Sequence, residues 1–149
     1  MTTSPQDDIV NVYRAGHHCS EAMVIAVGGR YLHPVPDILV RTSCPFGGGV
    51  CEHNELCGAL SGGIMVLGAL WGRNAAKVND DFVKDLACKF RQRFLEHFGH
   101  TQCGPIHDSD WRTADMGCAK VVRDSAEMLI AMIEEAHTQM PFVHEVQAP

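Results

Sequence analysis

The 149-residue chain contains no Cys-x-x-Cys motif, although seven cysteines run through it. That absence argues against a thioredoxin-type active site and against the common zinc ribbons and fingers, which build on two closely spaced thiols. Cys-x-x-Cys-His is missing as well, which leaves no sequence for covalent c-type haem attachment. Basic charge is short: 12 Lys and Arg against 18 Asp and Glu give a formal net charge of −6. Such a chain has no positive field to draw in nucleic acid or an anionic membrane surface. The first eight residues are polar and acidic, the opposite of the basic and then apolar start of a secretory signal. The longest nearly uncharged run, within 56–71, is too short and too rich in glycine to span a bilayer core. The expectation is a cytoplasmic protein without nucleic-acid or membrane partners. Strand-type alternation is also nearly absent.

What is present is helical periodicity. From 118 to 136 the residues Cys118, Val121, Val122, Ser125, Ala126, Leu129, Met132, Ile133 and Ala136 recur at three and four, with charged residues on the other side. Residues 79–98 repeat the pattern, with Asn79 or Asp80 as N-cap, Phe82, Val83, Leu86, Phe90 and Phe94 inward and Gly99 as the stop. A third helix is expected over 19–32, ending before His33-Pro34, because the residue before a proline is pushed out of helical geometry. A fourth runs from Cys57 to about Leu70. Its four glycines, Gly58, Gly62, Gly63 and Gly68, each cost about 1 kcal/mol against alanine, so something must compensate. Gly58, Ala59, Ser61 and Gly62 form a ridge almost without side chains, which admits either a neighbouring backbone or a bulky inorganic group. Shorter helices are expected over 7–13 and 36–43, and irregular chain over 44–56 and 104–117. The chain is thus read as one all-α, single-domain helical bundle over 1–149, with its core at about 8–136 and flexible tails at 1–6 and 138–149.

The cysteines then stand out by place rather than by number. In a reducing compartment seven thiols point to metal binding or redox chemistry, not to a disulfide framework. Cys19, Cys57 and Cys118 each fall at a predicted helix N-terminus, and Cys103 follows the Gly99 break. Unpaired N–H groups and the positive end of the helix dipole favour thiolate there, the form that binds metal and attacks disulfides. The spacing of these four matches neither ferredoxin pattern. Cys44 and Cys51 flank Gly47-Gly48-Gly49 and offer alternative ligands or a resolving thiol. Cys88, at the margin of an apolar stripe, is read as a structural bystander. Among nine histidines, His17 and His18 beside Cys19 and His53 near Cys57 are the best metal candidates, and either of the first two is also a candidate base for a Cys–His nucleophile. Met65, Met128 and Met132 read as core filling.

Gly16-His17-His18-Cys19-Ser20-Glu21-Ala22, Phe46-Gly47-Gly48-Gly49, Cys57-Gly58-Ala59-Leu60-Ser61-Gly62, Phe98-Gly99 with Cys103, and Cys118 together resemble the C_GCAxxG_C_C family of putative redox-active proteins. The resemblance runs from about residue 8 to 135. It extends to a domain of split-Soret cytochromes in which an iron–sulfur centre accompanies haem, and the haem-attachment sequence is absent here. The resemblance implies Cys19, Cys57, Cys103 and Cys118 as the signature sulfurs. They would hold an iron–sulfur cluster, a [2Fe–2S] centre among the options, with Gly48, Gly58 and Gly62 giving it room. Electron transfer with a redox partner protein is the leading functional expectation. Thiol–disulfide exchange or redox sensing without a cofactor, and a zinc-binding or structural module, are the alternatives. A homodimer is left open.

Overall fold

A computed structural model describes the backbone of residues 5–146 and the side chains of residues 8–146. The outer ends of the two expected tails, 1–4 and 147–149, lie outside the described residues. Among the described residues the chain forms eight α-helices and no strand. They are α1 (Pro5–Arg14), α2 (Cys19–Ala22), α3 (Asp37–Ser43), α4 (Gly58–Trp71), α5 (Asp81–Phe98), α6 (Cys103–His107), α7 (Ala119–His137) and α8 (Val143–Val146). No helix among them is long and apolar enough to cross a membrane.

The apolar α4 is the centre of the bundle. Gly58, Ala59, Leu60, Ser61, Gly62, Gly63, Val66, Leu67, Leu70 and Trp71 are all buried, as expected of a helix that is apolar on every side. Helices α2, α5 and α7 pack around it, and α1 packs on α7. The glycines of α4 set these distances. A Cβ at Gly62 would stand 2.5 Å from the Ser20 carbonyl oxygen of α2, and one at Gly63 would strike the Phe90 ring of α5. Gly68 alone among them faces open space.

Helix α7 buries the face that its periodicity predicts, from Ala119 and Val121 to Ile133 and Ala136. Asp80 is the N-cap of α5, Asn79 Oδ1 just before it accepts the Asp81 N–H at 2.9 Å, and the helix stops at Gly99 with φ +79°, the left-handed turn that glycine adopts without strain. The expected helix over 19–32 is composite. After Cys19–Ala22 it widens to a π turn at Met23–Val27 and tightens to a 3-10 turn at Gly28–Arg30, a stretch in which Met23, Val24 and Val27 are fully buried.

Two boundaries differ from expectation. Helix α1 begins at Pro5, a residue suited to a first helical turn because it lacks the N–H that would go unpaired there. Residues 138–146 are not a loose tail. Phe142 is 4% exposed, its ring stacks on His137 with centroids 3.9 Å apart, and it meets Trp71 edge-on at 5.1 Å. Trp71 Nε1 donates to the Met140 carbonyl at 3.1 Å. A single aromatic anchor carries no periodicity, so the pattern that marks long helices cannot reveal it.

Candidate functional site

Four helix starts meet at one end of the bundle. Cys19 is the first residue of α2, Cys103 the first of α6, and Cys57 and Cys118 are the N-caps of α4 and α7. Short-range devices position each one. The chain before Cys57 and the chain before Cys103 run antiparallel for a few residues. Cys57 N–H donates to the Thr101 carbonyl at 2.9 Å, Cys103 N–H to Glu55 at 2.8 Å and Gly104 N–H to His53 at 2.8 Å, around a bridge between Leu56 and Gln102. This ladder brings together two sulfurs separated by 46 positions. Cys19 Sγ lies against Gly58, where any Cβ would collide with it. Cys118 N–H donates to the Tyr13 hydroxyl at 3.1 Å, which ties the start of α7 to α1.

All four sulfurs line one cavity of about 540 Å³, within the range of small-ligand and cofactor sites. Its other walls include Tyr13, Arg14, Arg112 and the histidines 17, 18, 53 and 107. Burial, followed by the nearby Cys19 sulfur, pushes the Cys57 thiol far above its usual range, and the N–H groups of Ala59 and Leu60 pull it back only in part. Burial and then Cys19 push Cys103 up to about 11. Cys118 is raised by the same two causes, against the opposing pull of the Arg112 charge and the Tyr13 hydroxyl. Helix-start donors do point at Cys57, as position in sequence suggests. In the metal-free protein, however, desolvation outweighs them and the thiols keep their protons.

These shifts make the metal-free protein sensitive to alkali. An unfolded thiol ionises near about pH 8.5, whereas the folded Cys57, Cys103 and Cys118 hold their protons to higher pH. Above that pH the unfolded chain binds fewer protons than the folded one, and stability falls as pH rises. The melting temperature of reduced, metal-free protein should therefore be highest below about pH 8.5 and decline towards pH 10.5. The decline should be shallower in Cys57→Ser. Tyr13→Phe, which removes the acceptor for the Cys118 N–H, should cost about 1 kcal/mol in denaturant unfolding.

The structure separates the sequence-derived residues. Cys19, Cys57, Cys103, Cys118 and Gly48 line the cavity. Gly58 and Gly62 do not; they serve close approach of α4 to Cys19 and to the Ser20 backbone, so the room they make is taken by protein. Gly49 is the loop glycine that touches the sulfur set, with a Cβ position 2.5 Å from Cys103 Cβ. Cys44, Cys51 and Cys88 are exposed. Cys88 stands two residues after the buried Leu86 and so on the opposite side of α5. His53 belongs with Cys103 rather than Cys57: its Nδ1 is 3.3 Å from Cys103 Sγ, and its ring stacks on His107 at 4.1 Å. Tyr13, His107 and Arg112 carry no sequence signal that marks them for the site, since each reaches it only through the tertiary fold.

One zinc ion draws its thiolates to about 3.8 Å from one another, scaled from a metal–sulfur bond near 2.3 Å. Among the described residues, His18, Glu21 and Cys44 are where three metal-type donors come within 4.8 Å of one another, so the four cavity sulfurs are spread more widely than that. A family model described as Putative redox-active protein (C_GCAxxG_C_C) matches residues 17–132, well over half of the chain. No curated protein and no solved structure matches it.

Proposed function

Because the chain belongs to the C_GCAxxG_C_C family of putative redox-active proteins, we propose that it is an electron-transfer protein in which Cys19, Cys57, Cys103 and Cys118 hold an iron–sulfur cluster, with a [2Fe–2S] centre among the forms that four cysteines can ligate. One observation carries this reading: four cysteines from four separate helix starts line a single cavity, where burial and the neighbouring sulfurs push the thiols of Cys57, Cys103 and Cys118 up. Such a set becomes a set of anions only around positive charge. A bound cluster would supply one-electron chemistry, exchanged with a redox partner protein.

The residues of this chain would tune that chemistry. The N–H groups of Ala59 and Leu60 beside Cys57 and the hydroxyl of Tyr13 beside Cys118 pull these thiols down against the push of burial, and donors so placed would favour the more negative, reduced state. Arg112 adds positive charge near Cys118. Burial of Cys57 and Cys103 at 5% and 9% exposure acts in the opposite sense, by keeping water from the most enclosed sulfurs.

Thiol–disulfide exchange is the second reading, favoured by the Cys19 sulfur lying against Gly58, next to Cys57. Against it stand the raised thiols, since an attacking sulfur is ordinarily one whose pKa is lowered. Anaerobic redox titration separates the two. The cluster reading expects a visible absorption band that bleaches on reduction and returns on reoxidation. Loss of two thiols per chain on mild oxidation, with no visible band, would replace it with the exchange reading.

A further inference from the structure

Outside the sulfur cavity's four-cysteine set, the geometry points to a second, exchangeable metal site formed by His18, Glu21 and Cys44, with zinc as the cation that suits it. Their ligand atoms already lie within 4.8 Å of one another. They come from two separate places, the start of α2 and the 3-10 turn Cys44–Phe46 that follows α3. Buried contacts beneath them fix the juxtaposition. Ser20 Oγ donates to the Ser43 carbonyl at 2.8 Å, and both serines are fully buried, so the residue before Cys44 is fastened to the first turn of α2. Gly47 lies so close to the His18 side chain that a Cβ there would collide with it. The Glu21 carboxylate is held as well: Oε1 accepts the His18 N–H at 2.9 Å, and Oε2 stands 3.7 Å from His17 Nδ1. Each oxygen keeps a free lone pair for a cation.

The donors themselves are open to solvent, unlike the scaffold that places them. His18 and Cys44 are exposed and Glu21 is half-buried. A site of this build exchanges its ion readily. One imidazole nitrogen, one thiolate and one carboxylate oxygen form a borderline set that zinc accepts and that hard cations do not. Three protein ligands leave a fourth position for water or an incoming ligand. Tetrahedral zinc requires its donors about 3.3 to 3.8 Å apart, scaled from bonds of about 2.0 to 2.3 Å, a closure of about 1 Å reached by side-chain rotation. On binding, the Cys44 thiol gives its proton to solvent and its sulfur forms the bond to zinc, with no change in oxidation state. His18 also lines the sulfur cavity, so the ion would sit at the cavity's rim.

The test uses the exposed thiols as reporters. Full-length reduced protein is treated with N-ethylmaleimide under anaerobic conditions, with and without a slight excess of zinc, and the labelling rates of Cys44, Cys51 and Cys88 are read by peptide mass mapping. Zinc should slow labelling of Cys44 at least tenfold and change Cys51 and Cys88 less than twofold. His18→Ala and Glu21→Gln, two independent removals of a ligand, should each abolish the protection. An unchanged Cys44 rate, protection of all three thiols alike, or protection that survives in both variants would overturn the site. Repeating the experiment in Cys57→Ala keeps this outcome separate from the iron–sulfur proposal, because the Cys44 reporter does not depend on the four-sulfur set.

Discussion

Cys57→Ala is expected to strip iron and acid-labile sulfide from the protein at least tenfold, while Cys88→Ala leaves both at the parental level. Cys57 is the most enclosed of the four sulfurs, at 5% exposure. It caps the central helix α4 and is joined by the backbone ladder to the chain that carries Cys103. Alanine there removes one of the proposed ligands and leaves the Ala59 and Leu60 N–H groups without the sulfur beside them. Cys88 is exposed on α5 and outside the cavity lining. Its replacement should alter stability by no more than about 0.5 kcal/mol, as surface changes generally do. Metal analysis of both purified variants checks the contrast. Equal loss in the two would mean that the division between site and bystander sulfurs is drawn in the wrong place.

The same substitution in one helix should act with opposite sign at two glycines. Gly62→Ala places a methyl 2.5 Å from the Ser20 carbonyl oxygen and 2.9 Å from its Cα. These are backbone atoms and cannot rotate away, so α2 and α4 must separate. Overpacking of this kind costs about 1 to 3 kcal/mol, against a gain of about 1 kcal/mol in helix propensity. Because Ser20 follows Cys19, the separation should also displace a site sulfur and lower iron content. Gly68→Ala meets nothing within 4 Å and should stabilise the protein by about 1 kcal/mol. Denaturant unfolding of the two variants, with iron content measured alongside, gives the comparison. Stabilisation by both would show that α2 does not need the close approach.

What the sequence revealed and what it concealed follow from the range of the forces involved. Helices α5 and α7 were legible because their amphipathic period extends over four or more turns, and Asn79-Asp80 and Gly99 mark the two ends of α5 by local chemistry. The placing of Cys118 at the start of α7 was legible for the same reason, whereas Cys19 and Cys57 were read as helix starts from the apolar, helix-like chain that follows each, since α2 is only four residues long and α4 is apolar on every side. Helix α6 was not: five residues containing Pro105 are too few to display a period. The π turn at Met23–Val27 was equally hidden, since a widened turn is set by what packs around it. The glycines of α4 announced a need for space, but not what fills it. At Gly58 that is the Cys19 sulfur, at Gly62 the Ser20 backbone and at Gly63 the Phe90 ring. Convergence of Cys103 with Cys57 depends on the ladder between 53–57 and 101–104, a contact between distant segments for which neither segment carries a local signature.

The central claim, that the four cavity sulfurs hold an iron–sulfur cluster, is tested most directly by quantifying iron, zinc and acid-labile sulfide in protein purified without exposure to oxygen. Iron and sulfide in near-equal amounts, at about two of each per chain for a two-iron centre with all four cysteines engaged, is the predicted result. Stoichiometric zinc bound by the cavity sulfurs without iron, or neither iron nor sulfide after anaerobic reconstitution, would contradict it.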